Sequence, residues 1–335
     1  MDYVNELRST VGMFVPDSGL PTATLERQPI TVENLNLQDI VEQELSPVFI
    51  EANTFNVSKS DLLNKCTIPV FAKDNEATIS HNDFISAVEQ VVEGYYPEIR
   101  TRVRVSHPIK GRIPEARHKK ASDLLPHEET LYYERMMFVI EIPSVRKDIG
   151  GNSLSLTIGG VRSYHLDNLH SKKSAERFKL FIGFKNKVCS NLCVWSDGFV
   201  EDFRAFTHHE IQYRVQELIE RFNPDSYLDE FASWQNKAVS EKQFAEFVGR
   251  CRMYLYMPKS DKLGLPKLDF GDSQINQVVD GYYNDKNFSR NDDGTISLWN
   301  LYNLFTGANK SSYIDRFLER SVNAGNVVRN LALAL

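Results

Sequence analysis

The sequence predicts an α+β fold: an antiparallel sheet with an early helix, followed by an all-helical C-terminal half. Three observations lead to this prediction. Apolar side chains repeat with helical spacing over residues 80–95, they alternate with a period of two over much of 99–206, and the helical spacing returns from 207 to the end. Strands joined by turns rather than by helices favour an antiparallel sheet.

The composition is that of an ordinary globular protein. The 335 residues are 41% hydrophobic and 25% charged, with a formal net charge of −6, which excludes collagen-like, coiled-coil and wholly disordered classes. The longest apolar runs, such as Met136 to Ile140, are far shorter than the ~20 residues of a membrane helix. The first residues carry no secretory signal, and four cysteines are too few for a disulfide scaffold. We therefore expect a cytoplasmic protein that does not enter a membrane.

The first part of the chain divides into an arm and a sheet region. Residues 1–45 mix Pro, Gly and polar residues without sustained periodicity, which predicts an extended or partly disordered N-terminal arm. An α+β sheet domain is predicted for 46–206, where Ser80 is a favourable N-cap for the early helix and Gly150-Gly151-Asn152 is typical of a hairpin turn. The predicted strands cover residues 99–105, 136–142, 154–158, 177–188 and 191–195.

The remaining residues, 207–335, predict a helical C-terminal region. Thr207 with Glu210 and Ser240 with Gln243 have the spacing of capping boxes, and each pair precedes a helical apolar pattern. Further helices are predicted over residues 273–283, 297–305 and 313–328. We expect the last two to pack as a helical hairpin in which Trp299 is buried.

Motifs for cofactors or metals are incomplete. The segment Gly307 to Ser311 lacks the second glycine of a phosphate-binding loop, and Asn291 to Gly294 lacks the strongest ligands of a calcium loop. Cys189 and Cys193 are separated by three residues, and no second pair follows to form a zinc site. The sequence therefore predicts no cofactor and no metal.

A His/Glu-rich segment supplies an alternative interpretation as an enzyme. Residues 107–129 contain side chains that could act as acids or bases, namely His107, Glu115, His118, His127 and Glu128. If the fold brought them into one cleft beside the neighbouring basic residues, a nuclease or hydrolase site would result. No single catalytic residue can be assigned from the sequence.

Basic residues are concentrated in two segments of this acidic chain. Residues 100–120 hold eight Lys and Arg side chains against Glu115 alone, and residues 171–187 hold six, including Lys172 and Lys173, against Glu176 alone. In a strand, residues two apart share a face. This periodicity predicts sheet strands that are apolar inward and basic outward, with one aromatic ring among the bases.

A basic sheet face with an aromatic ring is suited to a nucleic-acid backbone. The alternative is an ordinary solvated face whose charges are balanced by the acidic helical half. The candidate nucleic-acid-binding residues are Arg100, Arg102, Arg104, Lys110, Arg112, Lys179, Phe181, Lys185 and Lys187.

Several segments resemble an uncharacterised family of Bacteroidetes proteins found on conjugative and integrated elements. They are residues 78–84, 105–116, 132–138, 157–162, 181–189 and 298–315. More distantly, residues 188–191 and 298–306 are similar to phage/plasmid-like proteins of unknown function, although Leu192 replaces the glycine usual there. Neither family has an established activity, so the resemblance implies only an accessory protein of a mobile genetic element.

Three functions are therefore predicted as alternatives. The first is an accessory protein that binds DNA or RNA through the basic sheet face. The second is the nuclease or hydrolase described above. The third is a protein-binding module that inhibits a host factor through the acidic helical half.

Overall fold

The computed structural model describes residues 48–68, 78–167 and 174–334. The predicted N-terminal arm, as well as Lys172 and Lys173, lies outside these residues. Contacts group Pro47–Leu335 into one compact unit. Within the described part of the chain, no helix combines the length and the apolar character needed to cross a membrane.

The fold is α+β, as predicted, and a six-stranded antiparallel sheet forms its centre. The strands are β1 (Phe55–Asn56), β2 (Arg100–Val105), β3 (Pro108–Arg112), β4 (Glu129–Tyr133), β5 (Arg135–Ile149), β6 (Asn152–Ser163), β7 (Glu176–Asn186) and β8 (Leu192–Ala205). The sheet order is β1-β2-β5-β6-β7-β8, and β3 pairs with β4 in a separate two-stranded sheet. The five predicted strands correspond to β2 and β5–β8, whereas β1, β3 and β4 were not predicted.

The long β5–β6 hairpin is closed by Gly150 and Gly151, whose φ angles are 60° and 73°. A tight turn that follows the twist of the strands requires positive φ at both positions, which glycine adopts without strain. The predicted hairpin turn is therefore confirmed. Further along, the pairing of β5 with β6 shifts between Ile142 and Arg146, because β5 bulges there.

One side of the sheet, named here the α2 face, is covered by helices α1 (Lys59–Asn64), α2 (His81–Tyr95) and α3 (His208–Arg221). In α2, Ser80 caps the backbone N–H of Asp83 and the Asp83 carboxylate accepts from the Ser80 N–H, so a full capping box begins the helix. The ring of Phe84 packs against Phe138 and Phe178, with centroids 5.2 and 4.7 Å away.

The helical half contains α4 (Pro224–Gln235), α5 (Glu241–Tyr256), α6 (Asp272–Asn284), α7 (Leu298–Asn309) and α8 (Ile314–Ala334). The capping box predicted at Ser240 and Gln243 is complete. At Thr207 only half of the predicted box forms: the hydroxyl accepts from the Glu210 N–H, but the Glu210 carboxylate accepts from the N–H of Phe206. One difference is a short strand pair, β9 (Ala238–Val239) with β10 (Ile296–Ser297). The half is therefore helical with a small two-stranded sheet inside it.

The other side of the sheet, named here the α8 face, carries a second hydrophobic cluster. The start of α8 contributes Ile314, Phe317 and Leu318. They pack with Phe49 and Ile50, which precede β1, and with apolar residues of the central strands. Both faces of the middle of the sheet are therefore buried. This cover decides which of the predicted basic residues reach solvent.

A buried arginine ties α2 to the sheet. Arg162 on β6 is 1% exposed; it donates to the backbone carbonyl of Ile79, to the Glu176 carboxylate and, at 3.4 Å, to Asp167. The guanidinium also lies 4.6 Å from the centre of the Tyr164 ring. Because these carboxylates and the cation are buried together, removing any one of them leaves an uncompensated charge.

Candidate nucleic-acid interface

The basic strands lie on one face of the sheet without being neighbours. Cross-strand pairing aligns Arg102 with Val139, Gly159 and Phe181, so these positions of β2, β5, β6 and β7 share the α8 face. Strands β5 and β6 separate β2 from β7, a distance of about 14 Å at the usual strand spacing.

The expectation that this whole face is exposed is wrong at Arg104. Its side chain is 8% exposed and is occupied by Thr54 and Asn56: Nε and Nη2 donate to Thr54, and Nη1 donates to Asn56 Oδ1 at 2.8 Å. Arg104 therefore fastens β1 and the segment before it to the sheet.

The expectation of exposure is also wrong for Lys179 and Phe181, which are both buried. The Lys179 ammonium pairs with the Glu319 carboxylate and donates to the Asp315 carbonyl at 3.3 Å, both on α8. Phe181 is fully buried in the cluster formed with Phe317. The strand alternates as predicted, but α8 covers the side that was expected to face water.

The buried position of Phe181 gives a testable outcome. Phe181→Leu removes a ring that could stack on a base but keeps an apolar side chain in the core. We expect it to lower the free energy of unfolding by about 1–1.5 kcal/mol, measured by urea denaturation, and to leave the affinity for any single strand unchanged. A selective loss of single-strand affinity at unchanged stability would contradict the buried assignment.

Lys185 is buried as well, and it lies beside Glu141 of β5. Its Nζ donates to Glu141 Oε2 at 2.9 Å across β6, and the Ser155 hydroxyl donates to the other oxygen of Glu141 at 3.0 Å. Burial raises the pKa of the Glu141 carboxyl, but Lys185 and Ser155 outweigh this and hold its pKa below the ordinary value. Burial lowers the pKa of Lys185, and Glu141 offsets part of this effect.

Around Glu141, at the end of the face away from the contact of Lys179 with the start of α8, lies a group of cations, named here the basic cluster. Its members are Arg100, Arg102, Arg146, Lys185 and Lys187. Along β2 the burial falls from Arg104, which Thr54 and Asn56 cover, to the exposed Arg100. The cluster therefore combines two predicted strands with Arg146, which was not predicted.

Arg146 reaches this face through the bulge in β5. Counting by twos from Glu141 places Arg146 on the opposite side, but the bulge brings it into register with Ser155, whose partner on β7 is Lys185. Pro143, which cannot donate to a ladder, is the sequence signal for such a bulge.

The cations of the cluster lie close enough to act on one another electrostatically. Burial lowers the pKa of Lys187, and the charges of Arg146 and Arg100 lower it further while Glu141 and Asp148 act in the opposite sense. Among the described residues, Arg100, Arg146 and Lys187 have no carboxylate within ion-pair distance. Cations held together in this way favour a polyanionic partner.

The other two candidates lie elsewhere. Lys110 and Arg112 are exposed on β3, which follows the covered end of β2, and Arg112 donates to the Lys119 carbonyl. They are therefore at the opposite end of β2 from Arg100, apart from the basic cluster.

The His/Glu-rich segment does not form a shared cleft. His107, His118 and His127 are exposed, and the Glu128 carboxylate is engaged by Lys119 and by the backbone N–H of Leu125. In the described parts of the chain, no three His, Cys, Asp or Glu side chains are arranged to hold a metal ion. The geometry gives the nuclease or hydrolase interpretation no support.

Comparison with protein families assigns the chain. The model of a family described as "Domain of unknown function, B. Theta Gene description" (DUF3871) matches residues 31–335. The chain belongs to the DUF3871 family. This agrees with the resemblance to an uncharacterised Bacteroidetes family, whereas the association with mobile elements stays a prediction.

The DUF3871 assignment carries no activity with it. No curated protein and no solved structure gives a significant match to the chain. Any function of this DUF3871 protein has to be argued from its own residues.

Proposed function

We propose that this DUF3871 protein binds nucleic acid through the basic cluster, as an accessory protein of a mobile genetic element. The observation that supports the proposal is the grouping of five cations around the carboxylate of Glu141, at the end of the sheet where Arg100 and Arg146 are exposed. The chain as a whole carries a net charge of −6. A polyanion would therefore be attracted locally, at this cluster, and repelled by much of the remaining surface.

The contacts suit a phosphate backbone rather than a particular base sequence. Arginine presents planar, bidentate donors to phosphate, and lysine contributes a point charge. The side chains of Arg100 and Arg146 are exposed, and that of Lys187 is partly exposed. Because all three can be reached from solvent, we assign them the phosphate contacts. Lys185 is buried and paired with Glu141, so it contributes positive charge beneath the exposed cations without contacting phosphate itself.

A salt titration of the full chain tests this assignment. We expect labelled single- and double-stranded DNA and RNA to bind with an affinity that falls steeply as salt increases. In the triple variant Arg100→Glu, Arg146→Glu, Lys187→Glu, the slope of log K against log salt should become about two to three units shallower. Stability should change by no more than about 0.5 kcal/mol for each substitution, since the three side chains are not buried.

The matched control reverses three exposed lysines of the helical half, Lys237, Lys242 and Lys259. It changes the net charge by the same amount, so an effect of total charge would lower binding equally in both triple variants. We expect the control to bind like the unaltered protein.

Absence of salt-dependent binding by the unaltered protein at micromolar concentration would refute the proposal. Binding of a host protein by the acidic helical half would then be the remaining prediction.

A further inference from the structure

A polar cleft of about 420 Å³ lies beside the basic cluster, between the turn that follows β7, the end of α6, and α7. Five amide side chains line it, and we name it the amide cleft after them: Asn191, Gln277, Asn284, Asn287 and Asn303. Its volume is within the range of small-ligand pockets. None of its lining residues belongs to the candidate nucleic-acid-binding residues or to the basic cluster.

Asn191 at the floor of this cleft is incompletely paired. The side chain is 2% exposed; its Nδ2 donates to the Asn303 carbonyl at 2.9 Å, but its Oδ1 has no hydrogen-bond donor. Exchanging the two amide atoms would direct Oδ1 at a carbonyl, so the orientation is set by chemistry. A buried acceptor without a donor is unfavourable by about 1–3 kcal/mol, and a donor group on a ligand would remove that penalty.

Lys310 supplies the complementary hydrogen-bond donors. Its ammonium group donates to the Cys189 carbonyl, and two of its three N–H bonds have no acceptor among the described residues. Asp285 and Glu51 act on it electrostatically without forming an ion pair. The cleft thus offers an unpaired acceptor, unpaired donors and carboxylates at close quarters.

This combination selects a base rather than a phosphate. The edges of nucleobases carry hydrogen-bond donors next to acceptors, and they become accessible when the base is unstacked. A phosphate group would be repelled by the carboxylates of Glu51, Asp280 and Asp285, which also line the cleft. The cleft therefore fits an uncharged, hydrogen-bonding ring.

The amide cleft and the basic cluster are joined by the chain itself. Lys187 belongs to the cluster, and Cys189, two residues later, lines the cleft. Two residues span at most about 7 Å, so a strand whose phosphates lie on the cluster can place a base in the cleft. We propose that one unstacked base of a bound single strand enters the amide cleft. This inference rests on the proposed function.

The test fills the cleft from its helical wall. At Gly307 on α7, an added Cβ would meet only the Asn191 amide, at 3.8 and 4.0 Å, which are ordinary contacts. Gly307→Leu replaces a helical glycine by a better helix former and projects its side chain into the cleft. We expect the affinity for single strands to fall roughly tenfold. The salt dependence of binding and the affinity for a duplex should not change. Fluorescence anisotropy with labelled oligo(dT), oligo(dC), oligo(U) and a duplex measures all three quantities.

Gly249→Leu is the matched control, since Gly249 is an exposed helical glycine of α5 with nothing within 4 Å of an added Cβ. It should bind single strands like the unaltered protein. Asn284→Trp at the exposed rim is a second occluding variant, in case Gly307→Leu lowers the thermal midpoint. If both occluding variants bind single strands normally, the inference is overturned while the basic cluster stands. If the unaltered protein binds no nucleic acid at all, both proposals fail together.

Discussion

Replacing Trp299 by alanine is expected to lower the free energy of unfolding by about 3–5 kcal/mol. Trp299 on α7 is 1% exposed, and its ring packs 5.0 Å from that of Phe231 on α4 and 6.0 Å from that of Tyr302. Removing the indole leaves a cavity among rings that have fixed positions, because Tyr302 is itself stacked on Trp195 at an interplanar angle of 3°. Urea denaturation followed by circular dichroism measures the loss.

Tyr256→Ala is the control for this substitution, because the Tyr256 ring is 81% exposed. It should change the free energy of unfolding by no more than about 0.5 kcal/mol. A loss below about 1 kcal/mol for Trp299→Ala would mean that α7 is not packed on α4 as the structure shows.

Replacing Arg162 by methionine should lower the free energy of unfolding by a similar amount, about 3–5 kcal/mol at neutral pH. The substitution keeps much of the apolar stem but removes the guanidinium that pairs with the buried Glu176 and Asp167 carboxylates. Burial already raises the pKa of Asp167 although Arg162 lowers it, and removal of the guanidinium raises it further.

The pH dependence of the Arg162 variant follows from this direction. A carboxyl whose pKa is higher in the folded than in the unfolded protein favours folding in its protonated form, so stability is lost as the pH rises through the two values. We therefore expect a smaller difference between variant and unaltered protein at pH 4 than at pH 7. The double variant Arg162→Met, Glu176→Gln should recover part of the loss. Equal destabilisation at both pH values would show that the carboxylates are hydrated.

Local features of this fold were accessible from the sequence. The caps at Ser80, Thr207 and Ser240 and the turn at Gly150 and Gly151 each depend on residues within three or four positions of one another. Their geometry is set by short-range sterics and hydrogen bonds, which the residue types report directly. The α+β class followed from the same signals.

The exposure of the α8 face was not accessible in that way. Lys179 and Phe181 alternate with apolar residues as in an exposed strand, but their cover comes from α8, 136 residues further along the chain at the Lys179–Asp315 hydrogen bond. One signal did point to it. The uninterrupted apolar run Met136 to Ile140 is typical of a strand buried on both faces, so some element had to cover the second face.

The candidate site was predicted in part. Arg100, Arg102, Lys185 and Lys187 belong to the basic cluster, whereas Arg146 was missed because the bulge in β5 changes its side. The amide cleft was invisible to sequence reasoning, since Asn191, Gly307 and Lys310 converge only through the docking of α7 against the turn after β7.

The cover over the α8 face also sets an order of events during synthesis of the protein. The last strand of the sheet ends at Ala205, and the apolar residues that cover this face begin at Ile314, more than a hundred residues later. At about 5–20 residues per second, a ribosome needs roughly 5–20 s for that interval. During this time Phe181 and its apolar neighbours on the nascent sheet lack the cover that α8 provides, and an apolar strand surface in that state is prone to aggregation.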